Sequence, residues 1–128
     1  MKLLYGMTAI APVIVGLTAV AAPSTAQSSA TGAETFVMCK GCHTLEKGGR
    51  NGIGPNLSGL FGRKAGTAPG YTYSPAMKKS GLTWDEKTLS AFLAAPTKTV
   101  PGTKMPISVA DPAKRAALID YLKSATAK

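Results

Sequence analysis

Apolar residues recur at helical spacing in several stretches of the chain, and the clearest stretch is the last. There Leu118, Tyr121 and Leu122 lie three or four residues apart, a spacing that places side chains on one face of a helix. Asp111 and Pro112 precede them as a helix cap and a proline at the first helical position. The pattern predicts a helix from this proline towards the end of the chain.

Two further helices are predicted in the middle of the chain. Residues 83–86 read Thr-Trp-Asp-Glu, a capping box with a hydroxyl and a carboxylate three residues apart. The helix that follows contains Leu89 and Phe92 and should end before Pro96, because the residue before a proline disfavours helical backbone. A short helix is also expected over residues 74–81, which run from Ser-Pro to Gly.

The remaining helical signal lies upstream, where Gly32 and Phe36 are four residues apart. This segment leads into the pentapeptide CKGCH at residues 39–43.

Residues 44–73 contain eight glycines and two prolines and have no sustained helical or strand period. A loop of that length is unusual in a compact domain unless it is functional, so we expect an all-α fold whose loop wraps a large object.

The first 26 residues have the layout of a secretory signal peptide. One lysine is followed by an apolar run to Ala22 and by the small residues Ser-Thr-Ala at 24–26. An uncleaved anchor is the alternative, because the run approaches the roughly 20 residues of a membrane-spanning helix, although Pro12 and Gly16 interrupt it. We expect residues 1–26 to be cleaved and residues 27–128 to form a single periplasmic domain.

The chain is strongly basic, with a formal net charge of +9. Removal of Lys2 with the signal leaves fourteen Lys and Arg residues against six Asp and Glu residues. A surplus of this size favours an acidic partner. Nucleic acid is not the expected partner, because the protein is predicted to be exported and has no recognisable nucleic-acid-binding motif.

The pentapeptide CKGCH holds both cysteines and the only histidine of the chain. A dithiol redox site would need a strand, helix, strand context, whereas the surrounding pattern is helical. A structural zinc site would need four ligands, so a carboxylate would have to join Cys39, Cys42 and His43. The spacing C-x-x-C-H is typical of covalent haem attachment.

Haem attachment gives this spacing a mechanical reason. Residues i, i+3 and i+4 of a helix share one face, so Cys39 and Cys42 can reach two edge positions of a porphyrin while His43 reaches the iron. Met38 lies on the same turn and cannot cross to the opposite face of the ring. Met105, between the prolines of PGTKMP, is far enough along the chain to approach from that side, although a lone methionine usually fills a core.

Six segments resemble the class I cytochromes c of the mitochondrial and bacterial soluble type. They are CKGCHTLEKGG, GPNLSGLFGRKAG, PGYTYSPA, GLTW, PGTKMP and LIDYL, which span essentially the whole chain after the signal. The resemblance implies a small all-α cytochrome c fold with three main helices and a short one, and long loops wrapped around one covalent haem c.

The resemblance also implies specific roles at the haem. Cys39 and Cys42 would bind the haem, His43 and Met105 would be the axial iron ligands, and the carbonyl of Pro55 would accept a hydrogen bond from the other nitrogen of His43. Four further residues would lie around the haem propionates: Arg63, Tyr73, Trp84 and Thr103.

Other positions bear on packing and on differences from relatives. By the same resemblance, Gly32 and Phe36 would meet Leu118 and Tyr121 where the two end helices cross. Met77 and Phe92 stand where many relatives have an asparagine and a tyrosine, and Gly52 and Thr97 replace lysines that are common in the mitochondrial proteins.

A histidine and methionine pair leaves the iron no open position, so we expect an electron carrier and not an enzyme. Lysines 40, 47, 98 and 104 would guide a monomer to acidic surfaces on redox proteins, namely a quinol-oxidising bc-type complex, a terminal oxidase, a photosynthetic centre or a periplasmic dehydrogenase. Two alternatives stay open: a ligand-binding or peroxidase-like haem protein with a labile Met105, and a membrane-tethered subunit of a respiratory complex.

Overall fold

The computed structural model describes residues 25–127 together with Gly16 and Ala21. Nearly all of the predicted signal peptide, residues 1–26, therefore lies outside the described residues. The described chain contains five helices: α1 Thr25–Phe36, α2 Pro75–Lys79, α3 Glu86–Ala94, α4 Pro96–Thr99 and α5 Pro112–Ala125. Its only β pairing is an isolated bridge between Lys64 and Thr83. The predicted all-α class is confirmed, with α1, α3 and α5 as the main helices and α2 as the short one.

Helix α5 begins as the sequence predicts. The side chain of Asp111 accepts hydrogen bonds from the backbone N–H groups of Ala113 at 2.8 Å and Lys114 at 3.1 Å. Pro112 occupies the first helical position, where its missing N–H group costs no intrahelical hydrogen bond. Helix α2 begins in a similar way, because the hydroxyl of Ser74 accepts from the backbone N–H of Met77 at 3.1 Å.

The predicted capping box of α3 is wrong by two residues. The cap is Asp85, whose carboxylate accepts from the backbone N–H of Thr88 at 2.7 Å, while the Thr88 hydroxyl accepts from the backbone N–H of Asp85 at 3.0 Å. A helix cannot begin directly after Thr83, because the backbone of Trp84 is bonded to the long loop: its N–H donates to the Arg63 carbonyl at 2.9 Å and its carbonyl accepts from the N–H of Gly62 at 2.7 Å. The helix ends at Ala94 as expected, but Pro96 then begins α4, an extra turn that the sequence analysis did not predict.

Helices α1 and α5 cross at Gly32. A Cβ atom at this position would overlap the carbonyl oxygen of Ala117 and would lie 2.5 Å from the Cβ of Tyr121. One turn later, the rings of Phe36 and Tyr121 have centroids 5.8 Å apart. The predicted crossing of the end helices is present, and glycine is required there because the two backbones approach closely.

The long loop is tied to the rest of the chain by main-chain hydrogen bonds. Gly59 donates to the Thr126 carbonyl at 2.7 Å, and Gly62 donates to the Trp84 carbonyl at 2.7 Å. The loop therefore covers one side of a buried apolar cluster that the helices complete. Members of this cluster include Phe36, Leu60, Trp84, Leu89, Phe92, Leu93, Val100, Val109, Leu118 and Leu122. Among the described residues, no helix has both the length and the apolar character to cross a membrane.

Candidate functional site

A cavity of about 260 Å³ lies at the centre of the buried cluster. Its wall comes from the end of α1, the CKGCH turn, the long loop, α2, α3 and the loop that precedes α5. The structure brings together all nine residues that the sequence analysis placed around a haem. They are Cys39, Cys42, His43, Pro55, Arg63, Tyr73, Trp84, Thr103 and Met105.

The CKGCH segment follows α1 as a separate turn, since α1 itself ends at Phe36. The carbonyl of Cys39 accepts hydrogen bonds from the backbone N–H groups of Cys42 and His43, both at 3.0 Å. This turn preserves the i, i+3, i+4 spacing that the sequence analysis assigned to a helix. The two cysteines and the histidine therefore all reach the same cavity.

The environment of Cys39 is unlike that of a reactive redox thiol. Burial raises the pKa of the Cys39 thiol, and the neighbouring Cys42 raises it further. Reactive cysteines have a lowered pKa, because the thiolate is the attacking species. Within residues 25–127, no group of three or more His, Cys, Asp and Glu side chains is placed to hold a metal ion, so the zinc alternative gains no support.

His43 is held in one orientation by the segment that follows the motif. Its Nδ1 atom lies 2.7 Å from the carbonyl oxygen of Pro55. Because a carbonyl can only accept, Nδ1 carries the proton and Nε2 keeps a lone pair. Burial lowers the pKa of His43, while the hydrogen bond to Pro55 opposes that change. A neutral imidazole with a free Nε2 is the form that binds a metal ion.

Gly54 is a site residue that the sequence analysis missed. A Cβ atom at Gly54 would lie 2.5 Å from Cε1 and 2.8 Å from Nδ1 of His43. The backbone N–H of Gly54 donates to the Cys42 carbonyl at 2.8 Å, which fixes this segment against the motif. The sequence did offer a sign of this role, because Gly54 directly precedes Pro55, and Pro55 was expected to hold His43.

Tyr71 is a second missed residue. It lines the cavity, and its hydroxyl donates to the carbonyl of Ile53 at 2.6 Å. Its ring meets the ring of Tyr73 edge to face, with centroids 4.7 Å apart. Tyr73 in turn accepts a hydrogen bond from the backbone N–H of Ala68 at 3.1 Å. The two tyrosines are two residues apart in the sequence, and this spacing was the only sequence feature that could have predicted that Tyr71 lines the cavity beside Tyr73.

Met105 reaches the cavity from the loop between α4 and α5. Its backbone N–H donates to the hydroxyl of Thr103 at 3.3 Å. Next to it, the ammonium of Lys104 donates to the carbonyl of Thr72 at 3.1 Å and so ties this loop to the segment of Tyr71 and Tyr73, which both line the cavity. Met38 and Met77 also line the cavity, but Met38 is half exposed, whereas Met77 is buried in α2.

Arg63 offers an unused donor inside the site. Two of its guanidinium nitrogens donate to main-chain carbonyls, at 3.0 Å to Ser58 and 3.2 Å to Asn56. Its third nitrogen, Nε, is buried and has no hydrogen-bond partner. Buried donors are nearly always satisfied. Arg63 nevertheless lines the cavity, and its positive charge suits a group that brings a carboxylate there, as a haem propionate would.

Comparison with known proteins decides between the chemistries that this geometry allows. The family model described as Cytochrome c matches residues 29–126. The chain belongs to the cytochrome c family. The cofactor of a cytochrome c is a covalently attached haem c with iron, and the protein is a haem c electron carrier.

Individual relatives agree with the family match. Cytochrome c2 iso-2 of Magnetospirillum fulvum is 53% identical over 90 residues, which cover 70% of this chain and 93% of that protein. Cytochrome c2 of Blastochloris viridis is 40% identical over 123 residues, covering 95% of this chain and 91% of the relative. Among solved structures, cytochrome cH from Methylobacterium extorquens is 51% identical with a TM-score of 0.70, covering 75% of this chain and 97% of that one.

Two of the four departures from relatives that the sequence analysis noted, Met77 and Phe92, lie in the cavity wall of this cytochrome c. Met77 and Phe92 line the cavity and are buried. The ring of Phe92 packs on the indole of Trp84, with centroids 5.2 Å apart. Neither side chain offers a hydrogen-bond donor, so this part of the cavity wall is apolar.

Proposed function

We propose that this protein is a periplasmic electron carrier in which His43 and Met105 are the axial ligands of the haem iron. The observation that carries the proposal is that an imidazole with a free Nε2 and a thioether reach one cavity from separate segments, the CKGCH turn and the PGTKMP loop. Histidine and methionine together leave no position for a substrate and favour the reduced iron over harder ligands. Such a site transfers electrons and performs no other chemistry.

The other site residues have supporting roles in this proposal. The thiols of Cys39 and Cys42 would hold the haem by adding across its two vinyl groups to give thioethers. The bound haem would supply one-electron redox chemistry. The carbonyl of Pro55 holds His43 in the tautomer that leaves Nε2 free. Four residues surround the propionates: Arg63, Tyr73, Trp84 and Thr103. The presence of the Arg63 guanidinium in the cavity wall supports that placement.

The ligand assignment is tested by the near-red absorption of the ferric protein, which reports an iron to sulfur bond. We expect the wild type to show this band at neutral pH and Met105→Leu to lose it. Met77→Leu is the matched control, because Met77 also lines the cavity, and it should keep the band. A wild type without the band would instead favour a ligand-binding or peroxidase-like haem protein in which Met105 is labile.

Export is the part of the proposal that rests on the first 26 residues. We infer that cleavage after Ala26 releases residues 27–128 as a single domain. The match to the Blastochloris viridis cytochrome c2 covers 95% of this chain and so extends into this segment, which supports a shared precursor layout. The mass of the purified protein tests it: an intact N-terminus would favour the membrane-tethered alternative, and the same measurement reveals the added haem.

The partners that we propose are redox proteins with acidic docking surfaces. A quinol-oxidising bc-type complex, a terminal oxidase, a photosynthetic centre and a periplasmic dehydrogenase all suit a monomeric carrier with exposed lysines at 40, 47, 98 and 104. Complementary charge raises association rates by about 10-fold to 1000-fold. A pulldown from membranes with the holo-protein identifies the partner, and a transfer rate that does not change with ionic strength would exclude electrostatic steering.

A further inference from the structure

Asn51 and Gly52 form the one asparagine-glycine pair of the chain, and they lie in the long loop. Asparagine is among the residues of proteins that heat degrades most readily. In such a pair the following backbone nitrogen can attack the side-chain amide, because glycine has no Cβ to block the approach and its backbone turns freely. Asn56, the only other asparagine, is followed by Leu57. The chain therefore contains a fast and a slow site for the same reaction.

The side chain of Asn51 joins two parts of the long loop. Its Nδ2 atom donates to the carbonyl of Pro69 at 2.9 Å, and its Oδ1 atom accepts from the backbone N–H of Asn56 at 2.8 Å. We call Asn51 with these two hydrogen bonds the clasp. It holds the segment of Pro69, residues 67–73, against the part of the loop that follows the CKGCH turn. Neither Asn51 nor Pro69 lines the cavity, so the clasp secures the loop without being part of the haem site.

The fold holds both reacting groups of the pair. The backbone N–H of Gly52, which would attack, donates to the Gly54 carbonyl at 2.9 Å. The nitrogen that would leave, Nδ2 of Asn51, is the atom bonded to Pro69. Attack needs a free backbone nitrogen and a side chain that can turn towards it, so both bonds must break first. Local opening has its own free-energy cost, and the reaction should be slow while the loop is closed.

We propose that Asn51 is a conditional deamidation site: the closed loop protects it, and its conversion to aspartate or isoaspartate releases the clasp. The Gly52 nitrogen bonds to Cγ of Asn51, the Cγ–Nδ2 bond breaks, and ammonia leaves with the Gly52 proton, which gives a five-membered succinimide. Water then opens the ring at one of its two carbonyls and yields aspartate or isoaspartate. The inference concerns the loop and does not depend on the proposed electron transfer.

Loss of the amide changes the clasp in a defined way. A carboxylate only accepts hydrogen bonds, so it can still accept from Asn56 but cannot donate to Pro69. The Pro69 carbonyl then loses its partner and faces a negative charge. Isoaspartate also lengthens the main chain by one carbon. We expect the Pro69 segment to open about 5-fold to 10-fold more often, which is the effect of losing one hydrogen bond.

The first experiment compares the two asparagines in one sample. The holo-protein is kept in warm, mildly alkaline buffer, either folded or unfolded in guanidinium chloride. Peptide mapping by mass spectrometry follows both sites, and isoaspartyl methyltransferase labels the isoaspartate. In the unfolded chain we expect Asn51 to react at least about 10-fold faster than Asn56. In the folded protein Asn51 should react at least about 10-fold more slowly than in the unfolded chain.

Gly52→Ala is the chemical control, because it keeps Asn51 and adds a Cβ to the attacking residue. In guanidinium it should slow the reaction at Asn51 about 10-fold and leave Asn56 unchanged. The comparison uses the unfolded chain because in the folded protein the new Cβ would lie 3.0 Å from the Cys42 carbonyl oxygen. Equal rates at Asn51 in folded and unfolded protein would overturn the protection by the loop. An unreactive Asn51 in the unfolded chain would remove the site altogether.

The second experiment measures what the reaction does to the loop. Asn51→Asp reproduces the aspartate product, and chymotrypsin cleavage after Tyr71 reports opening, because cleavage follows the population of the open form. We expect Asn51→Asp to raise the initial cleavage rate about 5-fold to 10-fold. Wild-type protein that has reacted in guanidinium and then been refolded should show the same rise.

Ser108→Asp is the control for charge. It is an exposed change outside the clasp, adds the same negative charge and should leave the cleavage rate at Tyr71 unchanged. Release of the clasp would be disproved by wild-type cleavage rates in both Asn51→Asp and the refolded, deamidated protein. An equal rise in Ser108→Asp would disprove it as well, because added charge and not the lost hydrogen bond would then open the loop.

Discussion

The Nδ1 atom of His43 and the carbonyl oxygen of Pro55 lie 2.7 Å apart, although twelve residues separate them in the chain. Gly54 makes this contact possible, because its backbone passes over the imidazole at a distance that leaves no room for a side chain. The orientation of the histidine, its tautomer and the path of the loop are therefore coupled. A change in one of them should be visible in the others.

Gly54→Ala should displace the imidazole of His43. The added Cβ would lie 2.5 Å from Cε1, so either the ring or the backbone must move, and overpacking of this kind costs about 1–3 kcal/mol. We expect less holo-protein and weaker near-red absorption in what is recovered. Gly41→Ala is the control, because a Cβ there meets nothing within 4 Å. Equal yields and spectra for the two variants would contradict the proposed role of Gly54.

Gly32→Ala should destabilise the whole fold without altering the cavity wall. The new Cβ would overlap the backbone of α5 at Ala117, which cannot move as a flexible side chain can. We expect the free energy of unfolding to fall by about 2 kcal/mol, measured by guanidinium denaturation of the holo-protein. Ser29→Ala, an exposed change in the same helix, should have little effect. A Gly32→Ala protein as stable as the wild type would show that the helices can separate at no cost.

Two Arg63 variants should differ in their effects: Arg63→Ala should lower both the stability and the redox potential, whereas Arg63→Lys should lower the stability alone. Arg63→Ala removes the donors to the Ser58 and Asn56 carbonyls, and the loss of such charge-assisted hydrogen bonds costs about 2 kcal/mol in total. It also removes a positive charge beside the proposed propionate site. Loss of that charge favours the ferric state of the iron, so the reduction potential should fall. Arg63→Lys keeps the charge but not the planar fork, so it should lose stability while keeping a potential near the wild-type value. A potentiometric titration with no shift for Arg63→Ala would argue against this placement.

The cap of α5 should make stability depend on pH in the acid range. The backbone N–H groups of Lys114 and Ala113 donate to the Asp111 carboxylate and lower its pKa. The ionised form therefore stabilises the fold fully above the unfolded-state pKa of about 3.9, and this contribution is lost as the pH falls through the lower folded-state pKa. Asn can cap but cannot ionise, so Asp111→Asn should melt below the wild type at neutral pH.

Melting curves from pH 7 into the acid range check this prediction. The difference in melting temperature between the wild type and Asp111→Asn should shrink as the pH falls below about 4. Asp120→Asn, an exposed change in the same helix, removes the same charge without touching the cap. If the difference for Asp111→Asn persisted unchanged at the lowest pH, the charge of the cap would not be its cause.

Sequence reasoning located the cap of α5 but misplaced the cap of α3. Asp111 and Pro112 act through neighbours two or three residues away, so local pattern was sufficient there. At α3, Thr83 has the right chemistry for a cap, but the backbone of Trp84 directly after it is hydrogen-bonded to Gly62 and Arg63 in the long loop. No local pattern contains that pairing, and the cap moved to Asp85 as a result.

The site divides in the same way. The residue types and spacing in CKGCH and PGTKMP predict haem attachment and iron ligation, because both depend on which side-chain atoms are present. Where the loops run depends on main-chain hydrogen bonds between distant segments, such as Gly54 to Cys42 and Gly62 to Trp84. The carbonyl partners of Arg63 follow from those paths, and they could not be predicted from the sequence.

The sequence by itself therefore determined four of the five helices and the cofactor, and it indicated the groups that can hold the cofactor, because these depend on periodicity within a turn and on the chemistry of individual side chains. The tertiary structure alone decided that Gly54 must lack a side chain, that Tyr71 holds Ile53 in place, and that Asn51 is bonded to Pro69. Those relationships join residues that are far apart in the chain, and packing around a shared interior is what brings them into contact.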